Sequence, residues 1–97
     1  MVPFTYSGFY DVPRCIAFEY NGTSFLLQSW FDEEADEYPA FYSAYSVDMP
    51  IDDLLKKERW SSPPAETMTY LGKIPISEVV FDKTKRETLD PSVLSTL

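Results

Sequence analysis

The chain has no histidine, one cysteine and three glycines among its 97 residues, and these shortages exclude more than any motif it carries establishes. Without histidine, the usual general base, the commonest metal ligand and every Ser-His or Cys-His nucleophile pair are missing. A single cysteine cannot form an internal disulfide, and with no histidine beside it cannot build an ordinary structural zinc site. Three glycines cannot spell G-x-G-x-x-G or the Walker phosphate loop. No run approaches the roughly 18 apolar residues of a membrane helix. The opening MVPFTYSGFYDVPR lacks a basic n-region and a continuous apolar h-region, so no secretory leader is expected. Positive charge is scarce in one half only. Residues 1–53 hold ten carboxylates against Arg14 alone, giving −9, whereas residues 54–97 hold seven basic and six acidic groups, giving +1. A first half of this sign repels nucleic acid and anionic membrane and favours a basic partner.

What is present is aromatic and alternating. Apolar residues make up 44% and aromatics 16% of the chain, with seven Phe and seven Tyr, enough to bury one core and to argue against disorder. Residues 14–31, RCIAFEYNGTSFLLQSWF, are two alternating runs joined by Asn21-Gly22, the strongest short-range hairpin signal because a type I′ turn needs φ > 0 at both central positions. That turn pairs Tyr20 with Thr23, Phe18 with Phe25, Ile16 with Leu27 and Arg14 with Ser29. Ile16, Phe18, Phe25 and Leu27 then share a face that has to be covered. The opposite face carries Cys15, Ala17, Glu19, Ser24, Leu26 and Gln28 and is expected to be half covered. Asn21-Gly22-Thr23 also fits the N-glycosylation acceptor pattern, but turn chemistry accounts for it. Cys15, inside a strand, reads as an inert packed thiol of a reducing compartment.

The other elements follow from local patterning. Residues 1–12, broken by Pro3 and Gly8, predict a short edge strand or a loop packed over the sheet. FYSAYSV at 41–47 predicts a third strand, with Phe41, Tyr45 and Val47 on one side and Tyr42 and Ala44 on the other. Pro50, then Asp52 and Asp53, then Lys56, Lys57 and Arg59 suit the start and end of a short helix with Ile51, Leu54 and Leu55 as its apolar stripe and Trp60 at its exit. Ser61-Ser62-Pro63-Pro64 reads as an extended turn. Residues 67–76 predict a fourth strand with Met68, Tyr70, Ile74 and Ile76 on one face. Gly72 falls on that face too and signals a bulge or a close backbone approach; Pro75 signals a sheet edge. Val79, Val80 and Phe81 are expected to be buried, Lys83, Lys85 and Arg86 to form a solvated loop, and Asp90-Pro91 to open a last helical turn carrying Val93, Leu94 and Leu97.

The one concentrated chemical feature is the run Asp32, Glu33, Glu34, Ala35, Asp36, Glu37. It lacks the Asp-x-Asp-x-Asp-Gly spacing of a calcium loop. It also has no apolar cleft beside it of the kind that tunes a carboxylate pair for glycosidic chemistry. Trp30, Tyr38 and Tyr42 flank it, with Phe31 and Phe41, and aromatics beside charge are typical anchors of protein interfaces. The competing reading is a solvated connection beside core aromatics. The expected fold is a single α+β domain over 1–97. Its core is an antiparallel β-sheet of four to five strands, with scope to curl toward a small barrel, and one short helix follows strand three. The expected function is that of a small cytoplasmic interaction domain, not an enzyme, without cofactor or metal. Trp30, Asp32, Glu33, Glu34, Asp36, Glu37, Tyr38 and Tyr42 would bind or inhibit a basic protein. A DNA mimic directed at a nucleic-acid-binding protein is the alternative, and a carboxylate-only enzyme ranks last.

Overall fold

The computed structural model describes residues 2–10, 12–56, 65–79, 88–89 and 91–97. Six strands form one antiparallel sheet: β1 (Val2–Tyr10), β2 (Val12–Tyr20), β3 (Thr23–Gln28), β4 (Phe41–Val47), β5 (Met68–Pro75) and the two-residue β6 (Thr88–Leu89). The first five make a meander, each beside its chain neighbour, and β6 returns to the outer edge of β1, giving the order β5-β4-β3-β2-β1-β6. The sheet stays open. Closure into a barrel would need β5 to reach β1, and β6 already occupies that edge through Val2–Leu89 and Pro3–Thr88. The helix α1 (Ile51–Lys56) follows strand four rather than strand three, because residues 2–10 form a full nine-residue strand instead of a short edge strand or loop. The aromatic content of that segment outweighs Pro3 and Gly8: Phe4 pairs with Phe18 and Tyr6 with Ile16.

The β2–β3 hairpin has the register that its turn dictates, Tyr20 opposite Thr23 through Cys15 opposite Gln28. Asn21 sits at φ 53 and Gly22 at φ 78, the two positive values of a type I′ turn. One sheet face carries Phe4, Ile16, Phe18, Leu27, Tyr42, Ala44 and Ile74 under Val79 and Val93, with Leu94 and Ile76 alongside. Val93 and Leu94 come from a 3-10 segment at Pro91–Thr96, and Val79 follows a 3-10 turn at Ile76–Glu78. The other face carries Cys15, Ala17, Leu26 and Val47 under Leu54, so α1 covers it more fully than alternation alone implies. Six residues are too few for a helix to persist by itself, and burial of Leu54 with the bond from Leu54 N–H to the Pro50 carbonyl (3.0 Å) holds it. Ser24 Oγ, donating to the Met49 carbonyl at 2.6 Å, fixes its approach to the sheet.

Strand β5 departs from a single-face reading. Ala44 pairs with Gly72 and Tyr45 with Tyr70, so Leu71 is an extra residue, and the bulge transfers Ile74 to the face opposite Met68. Gly72 has φ 141, and a Cβ there would meet Leu97 Cδ2 at 3.1 Å, which is the close approach that its position signals. Lys57, Arg59, Trp60, the 61–64 turn, Val80, Phe81, the Lys83–Arg86 loop and Asp90 lie outside the described residues.

Candidate functional site

The β3–β4 connection carries all the candidate residues but one. It leaves the sheet at Ser29, whose N–H donates to the Arg14 carbonyl at 2.7 Å and extends the hairpin pairing by one residue. Ser29 is buried, whereas the next two side chains are not: Trp30 is 43% and Phe31 45% exposed. The acidic run that follows is an ordered turn. Asp32 and Glu37 exchange backbone hydrogen bonds of 2.9 and 3.2 Å. The Asp32 carboxylate accepts from the Glu34 and Ala35 N–H groups at 3.0 and 3.2 Å, and Asp36 takes φ 55, a left-handed conformation that aspartate tolerates better than most residues. Every side chain from Trp30 to Glu37 is exposed, so the carboxylates of Asp32, Glu33, Glu34, Asp36 and Glu37 project from a short hairpin at one end of the sheet.

Its return limb is fastened from below. Tyr38 is half-buried, with Phe31 edge-on to it at 5.2 Å and the Arg14 guanidinium 4.1 Å above its ring. Arg14, the lone cation of the first half, is itself buried and donates to Ser29 Oγ at 3.3 Å. The Ala40 carbonyl accepts from the Ile76 N–H at 3.0 Å, joining the connection to the end of β5.

Tyr42 does not belong to this surface. It is 1% exposed, its hydroxyl donates to the Pro13 carbonyl at 2.7 Å, and its ring lies in the larger core cluster. Burial, partly offset by the nearby Arg14 charge, pushes its phenol up to about 12. Alternation put Tyr42 and Ala44 on one face but could not say that this face is the more deeply covered one. Phe41 is half-buried beneath the Lys73 ammonium, 4.2 Å from its ring centre. Cys15 is fully buried, and desolvation, opposed by a hydrogen bond with Gln28, raises its thiol to about 12, which leaves it unreactive.

Sequence reasoning passed over two features. Arg14 was legible as a solitary positive charge and as the partner of Ser29 on the covered face of the hairpin, but its contact with Tyr38 beneath the acidic connection was not. A cleft of about 460 Å³ lies between the Asn21-Gly22 turn and the start of α1, with Glu19 and Asp48 among its lining residues. Both carboxylates are exposed, without the apolar enclosure that carboxylate acid–base chemistry relies on. Among the described residues no group of three or more Cys, Asp and Glu side chains is placed to hold a metal ion, and no helix is long and apolar enough to cross a membrane. Comparison with protein-family models, with curated proteins and with solved structures finds no match to this chain.

Proposed function

We propose that this chain is a small interaction domain that docks the β3–β4 connection onto a basic protein surface and blocks that surface. The observation that carries the reading is the adjacency of Trp30 and Phe31, two large exposed rings, to an ordered turn bearing five carboxylates. The carboxylates supply long-range attraction and speed encounter, and the two rings supply apolar area that is removed from water once the partner has docked. The partner-binding set is then Trp30, Phe31, Asp32, Glu33, Glu34, Asp36 and Glu37, with Tyr38 as their half-buried support. The buried thiol of Cys15 is compatible with a reducing, cytoplasmic setting. A DNA mimic would instead present acids in rows spaced like phosphates, whereas here half of the carboxylates of residues 1–53 are bunched in one turn.

Binding kinetics with a partner recovered from native lysate at low salt test the proposal. Changing Asp32 and Asp36 to Asn and Glu33, Glu34 and Glu37 to Gln should slow association about tenfold or more, as should physiological salt. Folding should be nearly unaffected, because exposed like charges contribute little stability and the amide oxygen introduced by Asp32→Asn can still accept from the turn's N–H groups. Trp30→Ala should mainly speed dissociation. An association rate indifferent to both salt and the five substitutions would reduce the turn to a solvated connection.

A further inference from the structure

The structure assigns Arg14 the role of a positioning residue, a buried clamp that fastens both limbs of the β3–β4 connection and so fixes the geometry of the acidic turn. Its relevance to binding rests on the function proposed above; its mechanical role does not. Removing a guanidinium from water carries a large desolvation cost, and a protein retains one in that state only where its surroundings repay that cost. At 6% exposure Arg14 is such a group. On the outgoing limb it donates to Ser29 Oγ at 3.3 Å, and its own carbonyl accepts from the Ser29 N–H at 2.7 Å. On the return limb its guanidinium carbon lies over the Tyr38 ring, 4.1 Å from the ring centre, and the edge contact of that ring with Phe31 at 5.2 Å ties the two limbs together. Ser29 Oγ also points at the Pro39 carbonyl, though at 3.4 Å this bond is long. The backbone immediately before the arginine is fixed in turn by Tyr42, whose hydroxyl donates to the Pro13 carbonyl at 2.7 Å.

Arginine suits this position for two separable reasons. It supplies a positive charge, the one cation against the ten carboxylates of residues 1–53. Its flat, delocalised guanidinium stacks on an aromatic face while still donating sideways, which a compact ammonium does less well. Arg14→Lys separates the two, because it preserves the net charge of −8 and removes the planar fork. Electrostatic steering by the whole molecule is therefore unchanged in this variant, and any change in the turn reports geometry.

The test is NMR-detected amide exchange in wild type, Arg14→Lys and Tyr38→Leu, the last keeping the cation but removing its platform. The clamp predicts that the Asp32 and Glu37 amides, which close the turn, exchange about fivefold faster or more in both variants, while the Leu26 and Leu27 amides at the centre of the sheet keep their protection, since local opening is separable from global unfolding. Unchanged exchange at Asp32 and Glu37 would overturn the proposal. So would faster exchange there matched by a proportional loss at Leu26 and Leu27, which would make Arg14 an ordinary stabilising residue. If Arg14→Lys does not fold, Tyr38→Leu decides by the same criterion. In a second arm, a deca-arginine peptide at low salt is the probe. Wild type should release it more slowly than Arg14→Lys, with association unchanged at equal charge. A wild type that fails to bind the peptide counts against the proposed function and leaves the exchange result to decide the clamp.

Discussion

Burial gives Tyr42 and Cys15 an acid–base behaviour that free side chains lack, and the consequence can be measured. Both groups are neutral when protonated, and desolvation disfavours the charged form of each, raising the phenol from 10.0 and the thiol from 9.0 to about 12. The unfolded chain therefore gives up these protons first as pH rises. Stability from the two groups is complete below the unfolded values and is lost progressively between pH 9 and 12, as the unfolded state comes to bind fewer protons than the native one. Tyr42→Phe isolates the phenol. At neutral pH it should lower stability by about 1–2 kcal/mol through loss of the hydroxyl bond to the Pro13 carbonyl. Because phenylalanine cannot ionise, the gap between wild type and variant should narrow from pH 10 to pH 12. Urea midpoints for the pair across that range check this, and a constant gap would show that the hydroxyl is better solvated than its burial indicates. The alternation of FYSAYSV told which residues share a side with Tyr42. It carried no information on depth, because the segments that cover this face, around Val79 and Val93, lie more than thirty residues further along the chain.

Elements differed in legibility according to whether their signals were local. The β2–β3 hairpin was readable to the residue, since Asn21-Gly22 dictates both the turn type and the register. At Gly22, φ is 78 and no atom lies within 4 Å of a built Cβ, so Gly22→Val meets no steric neighbour and its cost is conformational alone. A destabilisation of about 1–3 kcal/mol is expected for a β-branched residue held at that φ. An unchanged denaturation midpoint would mean that the turn relaxes to another type and that the register is set elsewhere. Strand β1 was undercounted because Pro3 and Gly8 are strand-breaking signals that pairing with Phe18 and Ile16 overrides. In β5 the glycine marked an irregularity correctly, but period-two counting fails beyond a bulge, and Ile74 moved to the other face. Helix α1 was placed by Pro50, Asp52, Asp53 and Lys56, all of them local features.

For the molecule as a whole, the acidic turn was legible from charge density, whereas the exposure of its flanks Trp30 and Phe31 and the burial of Tyr42 and Arg14 depended on tertiary packing. The same scale raises the matter of the sheet's open edge. Among the described residues β5 has a neighbouring strand on one side only, and Tyr70 and Leu71 on it are 53% and 37% exposed. An edge of this kind invites pairing with another chain, and three features oppose it: the bulge at Leu71, the exposed Lys73 and the terminal Pro75. Lys73→Val tests whether the lysine acts as such a guard. The substitution takes the net charge from −8 to −9, so mutual repulsion between molecules increases and electrostatics alone predicts less association. It also replaces the charge, and its contact with the Phe41 ring, by a β-branched side chain that favours strand pairing. If the edge governs assembly, sedimentation velocity should show the variant self-associating at concentrations where wild type remains monomeric, against the sign of the charge change. A variant no more associated than wild type would assign protection of the edge to the bulge and to Pro75, with Lys73 serving chiefly to cover Phe41.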